Sequence, residues 1–307
     1  MKPIFSYTAL VFGVLCLSTS AIFVRLAMAP SAITAFYRLL FTLLILLPAA
    51  LLKPQMRREM ASLSKKQWGM ACFSGILLAI HYILWFESLH YTSVASSTVI
   101  VTLQPIFAIL LAFFFLKERQ SKLSILGCCV AIFGSVIIGY GDFQTSSQAL
   151  AGDLMALLAA AVISLYFFFG QILRRDISAT VYSVVSYGCS AAFLALYALA
   201  QGDPFFVYSW DTWKCFLALA LVSTILGQFV FNLLLKWISA AAVSMGILGE
   251  PIGTCILAYL VLHESLSLRQ VLGICVILGG LLLYFLAPSI QQRKQEFSHS
   301  MTCRRNH

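Results

Sequence analysis

Two dipeptides set in apolar surroundings carry the clearest chemistry in the chain: Gln104 followed by Pro105, and Glu250 followed by Pro251. A carboxamide or a carboxyl among aliphatic side chains has lost its water and needs a polar partner. The proline beside each removes a backbone N–H, which leaves the carbonyls of Val101 and Ile247 without their helical donors. Two readings stay open at this point. In one, Gln104 and a protonated Glu250 donate hydrogen bonds to such carbonyls and do nothing more. In the other, the pair forms the floor of a substrate cavity, and Glu250 either meets the ammonium group of a substrate or carries a proton, since a buried carboxyl exchanges its proton as its surroundings change.

Other polar residues recur at helical spacing. Gln228, Asn232 and Lys236 stand four apart and form one stripe that lipid would not tolerate. His81 and Trp85 are also four apart, beside Tyr82, Phe86 and His90 on the neighbouring face of the same segment. His81 reads either as an interior histidine with satisfied ring nitrogens or as a ligand for substrate or proton, and Trp85 as packing or lining. Arg25, Arg38 and Glu87 fall in the outer halves of their segments and could cluster near one mouth of a bundle. Arg38 then either pairs with Glu87 or contacts a substrate carboxylate, whereas Arg25 is within reach of the interface by snorkelling. Ser18, Thr19 and Ser164 read as residues of close helix packing. The histidines His81, His90, His263, His299 and His307 show neither H-E-x-x-H nor H-x-x-x-H spacing, and neither C-x-x-C nor G-x-x-x-x-G-K-[ST] occurs. No metal site, catalytic group, cofactor or ATP-binding loop is expected. The cysteines other than Cys303 lie in or beside apolar runs and read as small hydrophobes.

The elements that hold these residues follow from composition. Of 307 residues, 61% are hydrophobic and 10% charged, with a mean hydropathy of +0.94, against about 45–50% and about 25% in soluble domains. Soluble globular, disordered, collagen and coiled-coil classes are excluded. A net charge of +9 would raise nucleic acid as a partner of a soluble protein, but here the basic residues lie between apolar segments and report topology. Ten segments are apolar enough to span a bilayer, at about 5–28, 31–52, 67–89, 93–116, 120–140, 152–173, 178–200, 213–236, 239–262 and 268–287. The first also resembles a signal peptide, yet its apolar run continues through Ile22, Phe23 and Val24 past the small residues of a cleavage site. Lys53, Arg57, Arg58, Lys65, Lys66, Lys117, Arg119, Lys122, Arg174 and Arg175 share one side with both termini, which assigns that side to the cytoplasm of a plasma (inner) membrane. Asp142, Asp203 and Asp211 fall on the other.

Residues 81–140 align without gaps on 227–286, at a shift of 146. The identities include Ser93/Ser239, Pro105/Pro251, Glu118/Glu264, Ser121/Ser267, Gly127/Gly273 and Gly134/Gly280, and a weaker match at a shift of 147 pairs Ser31 with Ser178. Glu118 and Glu264 occupy equivalent loops before a helix start and read as structural, favoured by the helix dipole. Each half holds five spans, an odd number, so the copies have opposite orientation in the membrane. The expected fold is an all-α integral membrane protein of ten transmembrane helices in two inverted five-helix repeats, 1–145 and 146–288, with a cytoplasmic tail at 289–307. Inverted repeats belong to carriers whose halves rock about a midplane site.

The segment YTSVASSTVIVTLQPIFAILLAFFFLKERQSKLSILGCCVAIFGSVIIGY, its second copy ending in LGEPIGTCILAYLVLHESLSLRQVLGICVILGGLLLYFL, and ITAFYRLLF of the second span resemble the EamA family of the drug/metabolite transporter superfamily. The motifs are specific for the fold and say little of the substrate. The resemblance implies a secondary transporter, with export of an amino acid or other small metabolite as the expected activity, and Arg38 stands where that family often has an arginine. Substrate contact or coupling is expected from Glu250, Gln104, Arg38, His81, Trp85, Gln228 and Asn232, with Pro105 and Pro251 breaking their helices. The expected partners are a small-molecule substrate, the lipid bilayer and, as the candidate coupling ion, protons; monomer and homodimer both remain open. The alternatives are an intramembrane enzyme, which would need a nucleophile with its base or a metal cluster, and a channel, which the lack of a charged ring disfavours.

Overall fold

The computed structural model describes residues 3–92, 94–139, 147–262 and 267–305. Ser93, Asp142, His263, Glu264 and His307 lie outside them, as do the side chains of residues 288–305, including those of His299 and Cys303. In the first half, α1 (Pro3–Leu17) and α2 (Ser20–Ala27) form one span, followed by α3 (Ser31–Leu52), a short polar helix α4 (Pro54–Ser62), α5 (Lys65–Tyr91), the pair α6 (Val94–Val101) and α7 (Gln104–Leu116), and α8 (Lys122–Gly139). The second half runs α9 (Ser147–Leu173), α10 (Ala179–Gln201), α11 (Trp210–Ala218) joined through a π-helical stretch Leu219–Gln228 to α12 (Phe229–Leu234), then α13 (Ala240–Ile247) with α14 (Glu250–Leu262), and α15 (Leu268–Arg305). Among the described residues nine helical stretches are long and apolar enough to cross a bilayer, and Lys122–Ile138 is a shorter apolar tenth. The chain is an all-α, multi-pass membrane protein, as its apolar segments predict.

The structure departs from ten plain rods in particular places. The fourth and ninth spans break just before Gln104 and Glu250. With proline unable to donate, the preceding turn tightens to i→i+3 bonds: Leu103 N donates to Ile100 O at 3.1 Å and Gly249 N to Gly246 O at 2.9 Å. Gln104 and Glu250 therefore begin new helices, each with proline in the first turn where its missing N–H costs nothing. The first span breaks at Ser18 and Thr19, whose hydroxyls donate back to Val14 O at 2.9 Å and Cys16 O at 2.7 Å and compete with the helix ladder. The last helix does not stop at residue 287 but runs to Arg305, through polar residues of good helix propensity such as Gln291, Gln292, Arg293 and Lys294.

Serines set where helices enter the membrane. Ser121 Oγ accepts from Ser124 N at 3.0 Å, Ser267 Oγ from Gln270 N at 3.2 Å, and Ser239 Oγ from Ala242 N at 3.2 Å. The repeated Ser121/Ser267 pair is thus a repeated N-cap, which satisfies donors that lipid could not.

The fifth helices of the two halves, α8 and α15, pack on each other through the repeated glycines. A Cβ at Gly280 would lie 2.4 Å from Ala131 N, one at Gly134 2.6 Å from Ile277 N, and one at Gly127 2.6 Å from Tyr284 N. Glycines seven apart recur on one face every two turns, and only they permit backbones to approach so closely. The main core fills the space between the remaining helices, with Leu39, Leu78, Tyr166, Phe167, Tyr187 and Phe231 fully buried. Helix ends sort into two faces. One carries Lys53, Lys65, Lys117, Arg174 and Lys236, and is termed the basic face; the opposite face carries Met28, Thr92 and Gly202.

The glycine seam supplies a controlled test. Gly280→Leu is expected to lower stability in detergent by about 3 kcal/mol or more, the upper range for overpacking, and to reduce the yield of monodisperse protein. Gly279→Leu, one residue away where an added Cβ meets nothing within 4 Å, is expected to leave both unchanged; equal losses in the two variants would contradict the seam.

Candidate functional site

Between the halves lies a small cavity lined by Leu17, His81, Tyr82, Trp85, Val101, Gln104, Ile163, Phe167, Gln228, Ile247 and Glu250. Its volume of about 20 Å³ holds a water molecule and excludes a metabolite. The broken helices create it. Gln104 and Glu250, as first residues of α7 and α14, sit where the chain restarts, and their carbonyls are held by serines from the other half: Ser164 Oγ donates to Gln104 O at 2.9 Å, and Ser18 Oγ to Glu250 O at 3.1 Å.

The lining is chemically unfinished. Buried polar atoms without a partner include Tyr82 Oη, Trp85 Nε1, Gln104 Oε1, Gln228 Nε2 and Glu250 Oε1. Buried polar atoms are nearly always satisfied, so a cluster of unsatisfied ones around a single cavity marks a place for a polar ligand. Acceptors come from Gln104 and Glu250, and donors from Trp85, Gln228 and the Tyr82 hydroxyl. His81 is held differently: its Nδ1 lies 3.0 Å from Ala159 O. A carbonyl can only accept, so Nδ1 carries the proton and Nε2 is the nitrogen left for the cavity. The His81 and Trp85 rings stack at 5.8 Å, which fixes the indole edge.

Arg38 is fully buried but does not line the cavity. Its Nε donates to Thr224 Oγ1 at 2.7 Å and its Nη1 to Ser20 Oγ at 2.8 Å, while Nη2 has no partner. The guanidinium lies 4.6 Å from the centre of the Tyr82 ring, a cation–π contact strengthened by desolvation. Arg38 thus lies against the Tyr82 ring, and Tyr82 in turn lines the cavity. Thr224 belongs to the π-helical stretch, and π turns cluster at functional sites. The expected pairing of Arg38 with Glu87 is not present: Glu87 lines a separate vestibule with Arg25 on the opposite face.

The stripe Gln228, Asn232 and Lys236 divides by depth. Gln228 reaches the cavity, and Lys236 is exposed at the basic face. Asn232, one turn beyond Gln228, joins a buried network: its Nδ2 lies within hydrogen-bond distance of Tyr166 Oη at 2.7 Å, Ser183 Oγ at 3.0 Å and Tyr187 Oη at 3.1 Å, with two protons to share among them. Of the residues expected to contact substrate, the structure brings together Glu250, Gln104, His81, Trp85 and Gln228 around one cavity and sets Arg38 and Asn232 outside it.

Toward the basic face two polar side chains of α9 are fully engaged. Arg174, counted in the sequence as a loop charge, is 3% exposed. It donates to the carbonyls of Asn232 at 2.8 Å, Leu233 at 3.5 Å and Ile177. One turn earlier, Gln171 donates to Glu118 Oε1 at 3.1 Å and accepts from Ala240 N at 2.7 Å. These bonds tie α9 to the α7–α8 loop, to the end of α12 and to the start of α13. The signal in the sequence was Gln171 and Arg174 at one-turn spacing while the apolar pattern was still running. On the opposite face lies a separate vestibule of about 830 Å³, lined by residues of the first half alone.

The chain matches the EamA-like transporter family twice, over residues 4–140 and 150–286. It is 27% identical over 254 residues to an uncharacterized transporter of Clostridium kluyveri, covering 78% of this chain and 79% of that protein. It is also 27% identical over 274 residues to the uncharacterized transporter YwfM of Bacillus subtilis, covering 89% of this chain and 91% of that one. A solved crystal structure with 16% identity superposes with a TM-score of 0.78, covering 93% of this chain and 99% of the other, and bears on the fold alone.

The placement of Arg38 makes an expectation that differs from a surface ion pair. Arg38→Gln leaves the Thr224 and Ser20 hydroxyls short of a partner, and the expected loss of stability is about 1–3 kcal/mol. Adding Glu87→Gln is expected to restore nothing, with a coupling in a double-mutant cycle below about 0.5 kcal/mol in thermal unfolding. Recovery in the double variant would put the two residues in contact.

Proposed function

The chain belongs to the EamA-like transporter family, and from that premise we propose that it is a secondary transporter which exports a small zwitterionic metabolite such as an amino acid. The observation that carries this reading is the ring of unpartnered donors and acceptors around the central cavity. Glu250 and Gln104 offer oxygens to an ammonium group, and Trp85, Gln228 and the Tyr82 hydroxyl offer protons to a carboxylate. Arg38 adds positive charge against the Tyr82 ring. In the proposed orientation the basic face and both termini are cytoplasmic and the membrane is the plasma (inner) membrane, following the distribution of lysine and arginine.

Transport then needs the two five-helix halves to rock about the cavity. In this structure the centre is too small for cargo, and side-chain bonds join the halves on both faces: Gln171 to Glu118 on the basic face, and Tyr37 to Phe205 O and Thr212 to Ala27 O on the opposite one. Loading from the cytoplasm requires the Gln171–Glu118 bond to part, and release on the opposite face requires the other two to part. Glu250 is the group that changes charge in this cycle, as either the proton carrier or the seat of the substrate ammonium. Gln104 occupies the equivalent position in the other half, so a neutral amide is compatible with the same helix break.

That symmetry provides the control for the test. In proteoliposomes with an imposed pH gradient, Glu250→Gln is expected to insert normally and to lose uphill transport of amino acids by at least tenfold, whereas Gln104→Glu retains a measurable fraction. Undiminished uphill transport by Glu250→Gln would make the glutamate a structural hydrogen-bonding group and remove the coupling role.

A further inference from the structure

The vestibule on the opposite face is built from unlike walls. One wall is the start of α3 with Arg25 of α2; the other is the end of α5, with Glu87 and Thr92. Among the described residues neither Arg25 nor Glu87 has an ion-pair partner. Pro30 stands at the N-cap of α3 and gives no side-chain cap, so among the described residues the N–H groups that precede Thr34 have no side-chain cap, and the helix start at Pro30 and Ser31 borders the vestibule. Ser31 is 3% exposed and Thr92 8% exposed, both line the space, and the hydroxyl of each is buried without a partner.

The second half shows what such a helix start takes. Ser31 is paired with Ser178 by the repeat, and at Ser178 the position is filled from within the protein: Glu59 of α4 accepts a hydrogen bond from the Ser178 backbone N–H. A carboxylate at a helix N-terminus completes its orphan donors and complements its dipole. At the equivalent start of α3 the donors, the Ser31 hydroxyl and the Arg25 guanidinium are all present, and no protein carboxylate fills the place. Across the space Glu87 is reinforced by Asp203 of the α10–α11 loop, whose carboxyl is pushed up by partial burial and by the charge of Glu87.

We propose that this vestibule is a second binding station for a small zwitterion, with its carboxylate on the start of α3, Ser31 and Arg25, and its ammonium group toward Glu87. The inference rests on the zwitterionic cargo proposed above and adds a site outside the central cavity. The station lies within the first half, apart from the central cavity, and its volume of about 830 Å³ admits an amino acid with its hydration.

Equilibrium binding separates the two sites. The probes are the twenty proteinogenic L-amino acids, each radiolabelled, applied up to millimolar concentration to the full chain in lipid nanodiscs. The expected result is that a bound probe saturates at two per chain. Arg25→Gln and Ser31→Ala each weaken one of the two at least tenfold, and Glu250→Gln weakens the other. Arg25 is exposed, so its variant is expected to fold, and the small Ser31→Ala change repeats the test without altering charge. One site per chain, insensitive to Arg25→Gln and Ser31→Ala, would overturn the station and leave the central site standing. Two sites that both ignore these variants would overturn it equally. Binding lost in Arg25→Gln but untouched by Glu250→Gln would keep the station and remove the central reading, and no binding of any probe would overturn both.

Discussion

Backbone groups at the middle of a bilayer cannot be left to water, and that constraint governs the centre of this protein. Proline after Gln104 and after Glu250 breaks two spans at the same position in each half. A serine lies opposite each break: Ser164 shares its proton between Ala160 O at 2.7 Å and Gln104 O at 2.9 Å, and Ser18 between Val14 O at 2.9 Å and Glu250 O at 3.1 Å. The serines are related by the same shift of 146 as the residues they serve. The bonds to Gln104 O and Glu250 O cross from one half to the other. The features that open a polar cavity are therefore the ones that stitch the halves together at it, while the glycine seam between α8 and α15 holds them at one side.

The two faces differ although the halves are copies. Gln171 and Arg174 bond through their side chains on the basic face, but at a shift of 147 their counterparts are Val24 and Ala27, whose side chains have no donor or acceptor. The opposite face is joined by other groups, Thr212 donating to Ala27 O at 2.9 Å and Tyr37 to Phe205 O at 2.8 Å. Sequence drift between the repeats also gave the second half a carboxylate at the start of α10, from Glu59, and left the start of α3 facing a vestibule. A pseudo-symmetric scaffold thus acquires two unlike faces from a handful of polar side chains.

The architecture was legible because hydropathy, charge distribution and a gapless repeat all act on long stretches of chain. The central pair Gln104 and Glu250 was legible because proline, polarity and repetition coincide there. What failed to read was partnership. Periodicity put Asn232 on the same stripe as Gln228, but one helical turn is about 5.4 Å of depth, enough to carry Asn232 past the end of a small cavity and into bonds with Tyr166, Ser183 and Tyr187. For Arg38 the sequence left Glu87 and a substrate carboxylate as alternatives, and the Thr224 contact could not be read because it depends on the π-helical stretch Leu219–Gln228, whose register no apolar pattern encodes. Arg174 was read as a loop charge because its partners are main-chain carbonyls, which every sequence has everywhere.

The central claim is that the halves rock about the cavity, so that one face closes as the other opens. Double electron–electron resonance on the chain in liposomes tests it most directly, with one spin-label pair at Lys117 and Lys236 on the basic face and a second at His90 and Gln201 on the opposite face, all exposed positions. On adding a saturating amino acid or imposing a pH gradient, the account predicts reciprocal shifts, the basic-face distance lengthening by several ångström in the population whose opposite-face distance shortens. Distances that stay fixed on both faces, or that lengthen together, would contradict it.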